Sequence, residues 1–417
     1  MDLITLIGMF AAIAVVFTAI GKFAFKQNHL LINFLRYFVG VWFVFSGVVK
    51  AIDPAGTAIK MEEYFEIFEK SAPLLSFLWK FSAEHALAVS FHMIIFEIYL
   101  GIALILGTWK KLTIWLLILL IAFFTFLTGY SAKTGKVTDC GCFGDFLKLA
   151  PIQSFYKDLF LSVLIFLILL GQKSIKEIFG KMINRGLLII LTIGSIGFAY
   201  RNIYFEPIKD FRPYKVGISI PEGLKLPPNA KPYKYENTFI YKNKKSGEVK
   251  EFKGTWPQDL DNWTFVDRKD VMIQKGDDPK LKDFAIKDAN GGDNTASFFE
   301  EEEYIFFIII PELKKANVEG YKKLVKITDE ALQDNRYVYL LTGSLIEEAE
   351  AFEVEHQTPY QQENEFIYQV YNTDATPLKT IMRSNPGLLI LKKGIIVGKY
   401  HYNELTTYAD LKKSVLK

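Results

Sequence analysis

The sequence predicts two structural classes in one chain, an α-helical membrane bundle of six spans followed by a soluble α/β domain. Three observations predict it. Half of the 417 residues are hydrophobic while 23% are charged, so the two kinds must be segregated along the chain. They are: up to about residue 203 the chain is a series of apolar blocks, and from Tyr204 onward it is rich in Lys, Glu, Asp and Tyr. The only two cysteines, Cys140 and Cys142, stand one glycine apart between two of the apolar blocks.

Crossing a hydrocarbon core of ~30 Å takes about 20 apolar residues in a helix. The blocks at 3–21, 30–52, 86–107, 112–129, 159–171 and 187–198 meet or approach that length, the last two being the shortest. The first reads as a retained span and not a cleaved signal, because Met1-Asp2 brings no basic leader and no small-residue cleavage site precedes Lys22. Lys22 and Lys26, Lys110 and Lys111, then Lys173, Lys176, Lys181 and Arg185 fall in alternate loops, which assigns those loops to the cytoplasmic side. The segment 53–85, the cysteine loop and the soluble domain then share the opposite side. With only five spans, the soluble domain moves to the cytoplasm and the cysteines stay outside. A net charge of +3 without a basic run excludes nucleic acid as a partner; the lipid bilayer is the partner expected from composition.

Polar groups interrupt the apolar blocks. Arg36, Ser46 and Lys50 lie in or near the second, and His92 and Glu97 in the third. A mid-span carboxylate costs about 2.5–3.5 kcal/mol on insertion scales, so it faces the bundle interior. Two readings of Glu97 stay open: a static pair, for instance with Arg36, or a proton-carrying or ligand-binding group with His92 beside it. Lys50, at a span end, is expected to snorkel to water. Between the second and third spans, Met61, Phe65 and Phe68 recur at helical spacing opposite a run of Glu. That pattern predicts an amphipathic helix on the outer face, placed to lid the cysteine loop.

Cys140 and Cys142 admit three chemistries. A redox-active dithiol uses both residues and suits the non-reducing side of the membrane. A relaxed disulfide wants Cα atoms ~4.4–6.8 Å apart, and Gly141 supplies freedom to approach that in a small, readily reduced ring. A structural bridge of this size removes little chain entropy. A metal site needs more ligands than two thiolates without a nearby His or Met, so no metal is expected. Lys133, Lys136 and Lys148 favour the thiolate, whereas Asp139 and Asp145 oppose it.

The soluble half opens with a proline-bearing linker and a small β region, together 204–270, whose clearest feature is a hairpin at 235–252. Within 271–417, the apolar run at 304–310, helical sequence at 318–332 and a second strand at 337–341 predict a parallel crossover. A hairpin follows Asn385-Pro386, with Lys392-Lys393-Gly394 as its turn. His356 and His401 lie in polar sequence without a nucleophile motif, so Ser-His-Asp catalysis has no support.

Two resemblances follow from these residues. Arg36-x-x-x-Gly40, Phe45-Ser46-Gly47-x-x-Lys50, Asp53-Pro54, Glu97-x-x-x-Gly101 and Cys140-Gly141-Cys142-Phe143-Gly144 together resemble the DoxX and MauE superfamily of four-helix membrane proteins. The resemblance covers 30–172, leaving 1–29 as an extra first span and 173–203 as a sixth. It implies a bacterial inner-membrane protein, in which the loop charges place the C-terminal domain on the periplasmic side. The MauE branch is linked to methylamine utilisation and disulfide formation in an exported enzyme subunit, and DoxX relatives include a quinone-linked subunit. The resemblance thus implies Cys140 and Cys142 as the catalytic pair, exported proteins with thiols as partners, and a membrane quinone as the cofactor to consider. The second cysteine pair of some quinone-linked thiol oxidases is missing.

The segment 271–417 resembles a thioredoxin fold with Pro386 at the cis-proline position, which implies a client groove at Asn385 and Pro386. Where that family carries Cys-x-x-Cys, this chain reads Pro311-Glu312-Leu313-Lys314-Lys315. The domain is therefore expected to bind and not to perform redox chemistry. A second function class stays open, a non-enzymatic membrane scaffold with a structural cysteine bridge that binds an envelope protein.

Overall fold

The computed structural model describes residues 2–71, 76–137, 139–274, 276–405 and 407–416. Helices α1 (Leu3–Phe25) and α2 (Leu30–Ile52) are followed by α3 (Pro54–Ser71) and α4 (Ser76–Glu84), then α5 (Ala86–Leu106), α6 (Lys110–Thr134), α7 (Pro151–Leu170) and α8 (Lys181–Tyr204). Among the described residues, six of these, all but α3 and α4, are long and apolar enough to cross a membrane. Exposed apolar side chains such as Leu119, Phe126, Val163 and Phe166 coat their outer surfaces, the pattern expected of helices solvated by lipid. The fifth span begins at Pro151, well before residue 159. Proline fits the first helical turn, where its missing N–H has no partner to lose, and Gln153 Oε1 accepts from the Ala150 N–H at 3.1 Å.

Helix α2 is the hub, packed on α1, α5 and α7. It meets α5 through Gly40 and Gly101, where a Cβ on Gly101 would stand 2.9 Å from the Gly40 carbonyl oxygen and the Val44 nitrogen. Small residues at such a crossing let the two backbones approach closely in an apolar solvent that offers no hydrophobic drive. The basic loops gather at one end of the bundle. There the Arg36 guanidinium donates to the Lys176 carbonyl at 2.8 Å, and Lys110 Nζ to the Ile175 carbonyl at 2.8 Å. At the other end lie α3, the cysteine loop and the C-terminal half.

A short helix, α9 (Ile220–Leu224), leads to an antiparallel sheet of order β2-β1-β3, with β1 (Lys234–Asn243), β2 (Val249–Lys253) and β3 (Trp263–Gln274). The third strand carries this sheet to Gln274, past the boundary expected at 270. After α10 (Thr295–Glu300) come β4 (Ile305–Ile310), α11 (Val318–Gln333), β5 (Tyr337–Thr342), α12 (Ile346–Glu355), α13 (Pro359–Glu363) and β6 (Gln369–Asn372). The chain closes with α14 (Ala375–Ile381), β7 (Gly387–Lys392), β8 (Ile395–His401) and α15 (Tyr408–Ser414). These strands form one sheet of order β6-β5-β4-β7-β8, parallel from β4 to β6 and antiparallel through β7 and β8. Every residue of β4 is buried, as a strand covered on both faces requires. The Asn385–Pro386 bond before β7 is cis.

The α/β domain rests on the bundle through named ion pairs. Arg383 donates to both carboxylate oxygens of Asp53, from Nε to Oδ1 at 3.1 Å and from Nη2 to Oδ2 at 2.8 Å, and to Asp145 at 3.2 Å. Lys315 meets Glu62 of α3 at 2.8 Å.

Candidate functional site

The cysteine loop leaves α6 through Gly135 and returns into α7 at Ala150. Gly141 turns it with φ 64°, a conformation that costs residues other than glycine free energy; its N–H donates to Asp139 Oδ1 at 3.1 Å. Phe143 is completely buried against Trp42 and Phe45, with ring centroids 6.0 and 6.1 Å away. This aromatic plug draws the loop into the bundle mouth, and Ser46 Oγ donates to the Cys142 carbonyl at 3.0 Å. Both cysteines are free thiols of intermediate burial.

The two cysteines line one cavity of about 40 Å³ with Tyr64, Lys50, Glu97, Lys157 and Asp158. That is room for about three or four waters, given ~10–15 Å³ for each, and too little for a ring-sized molecule. Lys50 and Glu97 pair at 2.7 Å with side chains only 6% and 3% exposed. This corrects both expectations for those residues. Lys50 does not snorkel, because α3, the cysteine loop and the α/β domain cover its end of the span. Glu97 does not meet Arg36, which lies fourteen positions and about 21 Å of helix away from Lys50. Arg36 instead donates to Tyr37 Oη at 2.8 Å and to Gln27 Oε1 at 3.4 Å, at the basic end. His92 is exposed, its Nδ1 2.7 Å from the Ala88 carbonyl. Five positions before Glu97 it points about 140° around the helix, and the structure does not bring it into the cavity.

Lys157 and Asp158 were not foreseen. Their ammonium and carboxylate lie 2.7 Å apart with side chains 7% and 1% exposed, and Thr128 Oγ1 donates to Asp158 Oδ2 at 3.0 Å. Their signal in the sequence is an adjacent ion pair opening an apolar run, which the expected span of 159–171 leaves in the preceding loop. Burial pushes both thiols up from their ordinary value. For Cys142 the Lys157 and Lys50 charges oppose that rise, and for Cys140 the hydroxyls of Tyr64 and Ser131 do. Lys148, expected to favour the thiolate, pairs with Asp145 at 3.4 Å. Among the described residues no group of three or more His, Cys, Asp and Glu is arranged to hold a metal.

A polar vestibule of about 490 Å³ opens between α3, the cysteine loop and α14, and Thr57, Lys60 and Gly141 line both it and the inner cavity. Asn385 is half-buried. Its Nδ2 donates to the Glu312 carbonyl at 2.7 Å, and it lines a hollow of about 240 Å³ closed on the far side by α3 and α5. The edge where an extended client was expected thus faces the chain's own lid helix.

Fold and site define a polytopic membrane protein in which two thiols and two buried ion pairs share a pocket, and an α/β domain bounds the vestibule outside it. Residues 28–171 match the family described as Methylamine utilisation protein MauE. That stretch runs from α2 through α7 and contains every residue lining the inner cavity. Residues 235–275, the three-stranded sheet, match a domain of unknown function, DUF8463. No curated protein matches. One solved structure, a crystal structure from Aquifex aeolicus VF5 whose title proposes an electron transfer role, is similar over 32% of this chain and 89% of that chain. The identity is 12% and the TM-score 0.24; a likeness that low carries no argument.

Proposed function

We propose that the protein exchanges disulfides with exported proteins through Cys140 and Cys142, at the periplasmic face of a bacterial inner membrane. One observation carries this reading: both thiols of the chain converge on a single pocket with two buried ion pairs, which a merely structural bridge does not require. Buried charges are costly to desolvate and are kept where they tune chemistry or fix a unique arrangement. The vestibule supplies a route to Cys140 from the side that the α/β domain roofs. The domain, thioredoxin-like in this reading, has no thiol and serves to shape that entrance. Re-oxidation of the pair needs an acceptor, for which we assign a membrane quinone; the small cavity confines that reaction to its mouth or to an opened bundle. In Cys142→Ser protein, a client presented in its disulfide form is expected to accumulate as a mixed disulfide on Cys140: the Cys140 thiolate attacks the client bond and one client sulfur leaves as a thiolate. Failure to trap any such species from the envelope would count against exchange.

The second reading is a membrane scaffold with a static cysteine bridge. It is favoured by the position of the Asn385 edge, which faces α3 across a hollow of about 240 Å³ in place of an unobstructed groove.

A further inference from the structure

We propose that Lys157 is the charge partner of Cys142, and that it divides the roles of the pair: Cys142 is the thiolate that leaves, and Cys140 is the sulfur that the client attacks. The inference rests on the exchange reading given above.

Three ammonium groups line the cavity; Lys60 pairs with Glu63 at 3.4 Å, and the commitments of the other two, Lys50 and Lys157, differ. Lys50 Nζ donates to Glu97 Oε2 at 2.7 Å and to Ser46 Oγ at 3.2 Å, so two of its three protons are directed away from sulfur. Lys157 Nζ lies 2.7 Å from Asp158 Oδ1, to which one of its protons is directed. Lys50 thus spends two donors on its neighbours and Lys157 one, so Lys157 has more left for the cavity that Cys142 lines. Its Nζ stands 5.4 Å from the centre of the Phe143 ring, the residue after Cys142, and of the charges acting on the Cys142 thiol it is the foremost favourable one. Cys140 has a different setting. Its neighbours are the hydroxyls of Tyr64 and Ser131, 2.7 Å apart, and the adjacent Asp139 charge disfavours its thiolate. Asp139 and Gly141, on either side of Cys140, both line the vestibule.

The exchange step then balances within the two partners. A client thiolate attacks Cys140 Sγ of the oxidised pair; the client–Cys140 bond forms, the Cys140–Cys142 bond breaks, and the electron pair passes to Cys142 Sγ beside Lys157. The client's second thiolate attacks the client sulfur of the mixed disulfide, and Cys140 leaves. The client loses two electrons and two thiol protons, and the pair gains two electrons and takes up the protons. A thiol that leaves as a stabilised thiolate leaves faster.

The charged or titratable groups facing Cys142 are Lys50 of α2, Lys60 and Tyr64 of α3, Glu97 of α5, Lys157 and Asp158 of α7, and Cys140 in the loop. The test reads each thiol alone. Full-length reduced protein in detergent, carrying Cys140→Ser or Cys142→Ser, is alkylated with iodoacetamide from pH 6 to 10 and followed by mass. In the Cys140→Ser background, Lys157→Met should slow alkylation of Cys142 about tenfold at pH 7 and move the profile to higher pH. Lys157→Arg should restore it, and Asp158→Asn should speed it. In the Cys142→Ser background, Lys157→Met should change the Cys140 rate less than twofold. No effect on Cys142, an equal effect on both thiols, or no rescue by arginine would overturn the assignment; the arginine variant separates lost charge from lost packing. Alkylation involves no client, so a clear Lys157 effect without trapped mixed disulfides would sink the exchange reading and leave the charge pair standing.

Discussion

Glu97 and Lys50 show what one residue contributes. A carboxylate and an ammonium held 2.7 Å apart, both nearly inaccessible, stabilise the fold only as a pair, because removing one leaves the other buried and uncompensated. Glu97→Met or Lys50→Met should therefore cost about 3–5 kcal/mol, whereas the double variant should recover most of that loss. Thermal unfolding in detergent, run as a double-mutant cycle, checks it; additive losses would mean that the two charges do not depend on each other. The sequence exposed half of this arrangement. A carboxylate inside an apolar block marked Glu97 as inward-facing, but its partner depended on which span end is covered, a tertiary fact that no local pattern contains. Lys157 and Asp158 stayed hidden for a related reason. A polar first turn looks like loop until the cavity it lines is known.

At the scale of elements, the α2–α5 crossing depends on Gly40 and Gly101. A valine at Gly101 would meet backbone atoms of α2 at 2.9 Å, and these cannot rotate away. Gly101→Val should lower stability by about 1–3 kcal/mol or more, read as a fall in detergent Tm, while Gly8→Ala, with nothing within 4 Å of the added carbon, should leave it unchanged. The glycines were legible as motif residues, and their function as a backbone contact was not, since periodicity cannot say which helix is the neighbour. In the α/β domain, Glu353 accepts from Tyr321 Oη and from the Tyr368 N–H at 3.1 Å. Burial raises its carboxyl from 4.5 to about 7. A raised folded-state value means the folded domain prefers the protonated form. Its contribution is thus complete below about pH 4.5 and is lost as pH rises through 7. Unfolding followed from pH 5 to 8 should show that decline, and Glu353→Gln should flatten it.

At the scale of the whole molecule, the α/β domain is held over the thiols by Arg383. Burial alone would push Asp53 up, but Arg383 more than offsets it and holds the carboxyl below its ordinary value. A depressed carboxylate lends its stability above its unfolded value and loses it only as pH falls through the folded one, so this latch should not titrate between pH 5 and 8. Arg383→Ala should loosen the roof and raise Cys140 alkylation severalfold at constant pH, with Cys142 changing less. An unchanged rate would mean that the vestibule is not the route to the pair. The strands and crossover of this domain were readable from apolar runs and turn residues. That its Asn385 edge faces α3 was not, because contacts between halves of a chain leave no periodic trace.

The midpoint potential of the Cys140–Cys142 pair separates exchange from a static bridge most directly, measured in the full-length protein equilibrated against glutathione buffers and read by alkylation mass shift. Disulfide exchange predicts a value near or above about −200 mV, within the range of catalytic oxidants. A bond that stays closed below about −300 mV would make it structural and contradict the account.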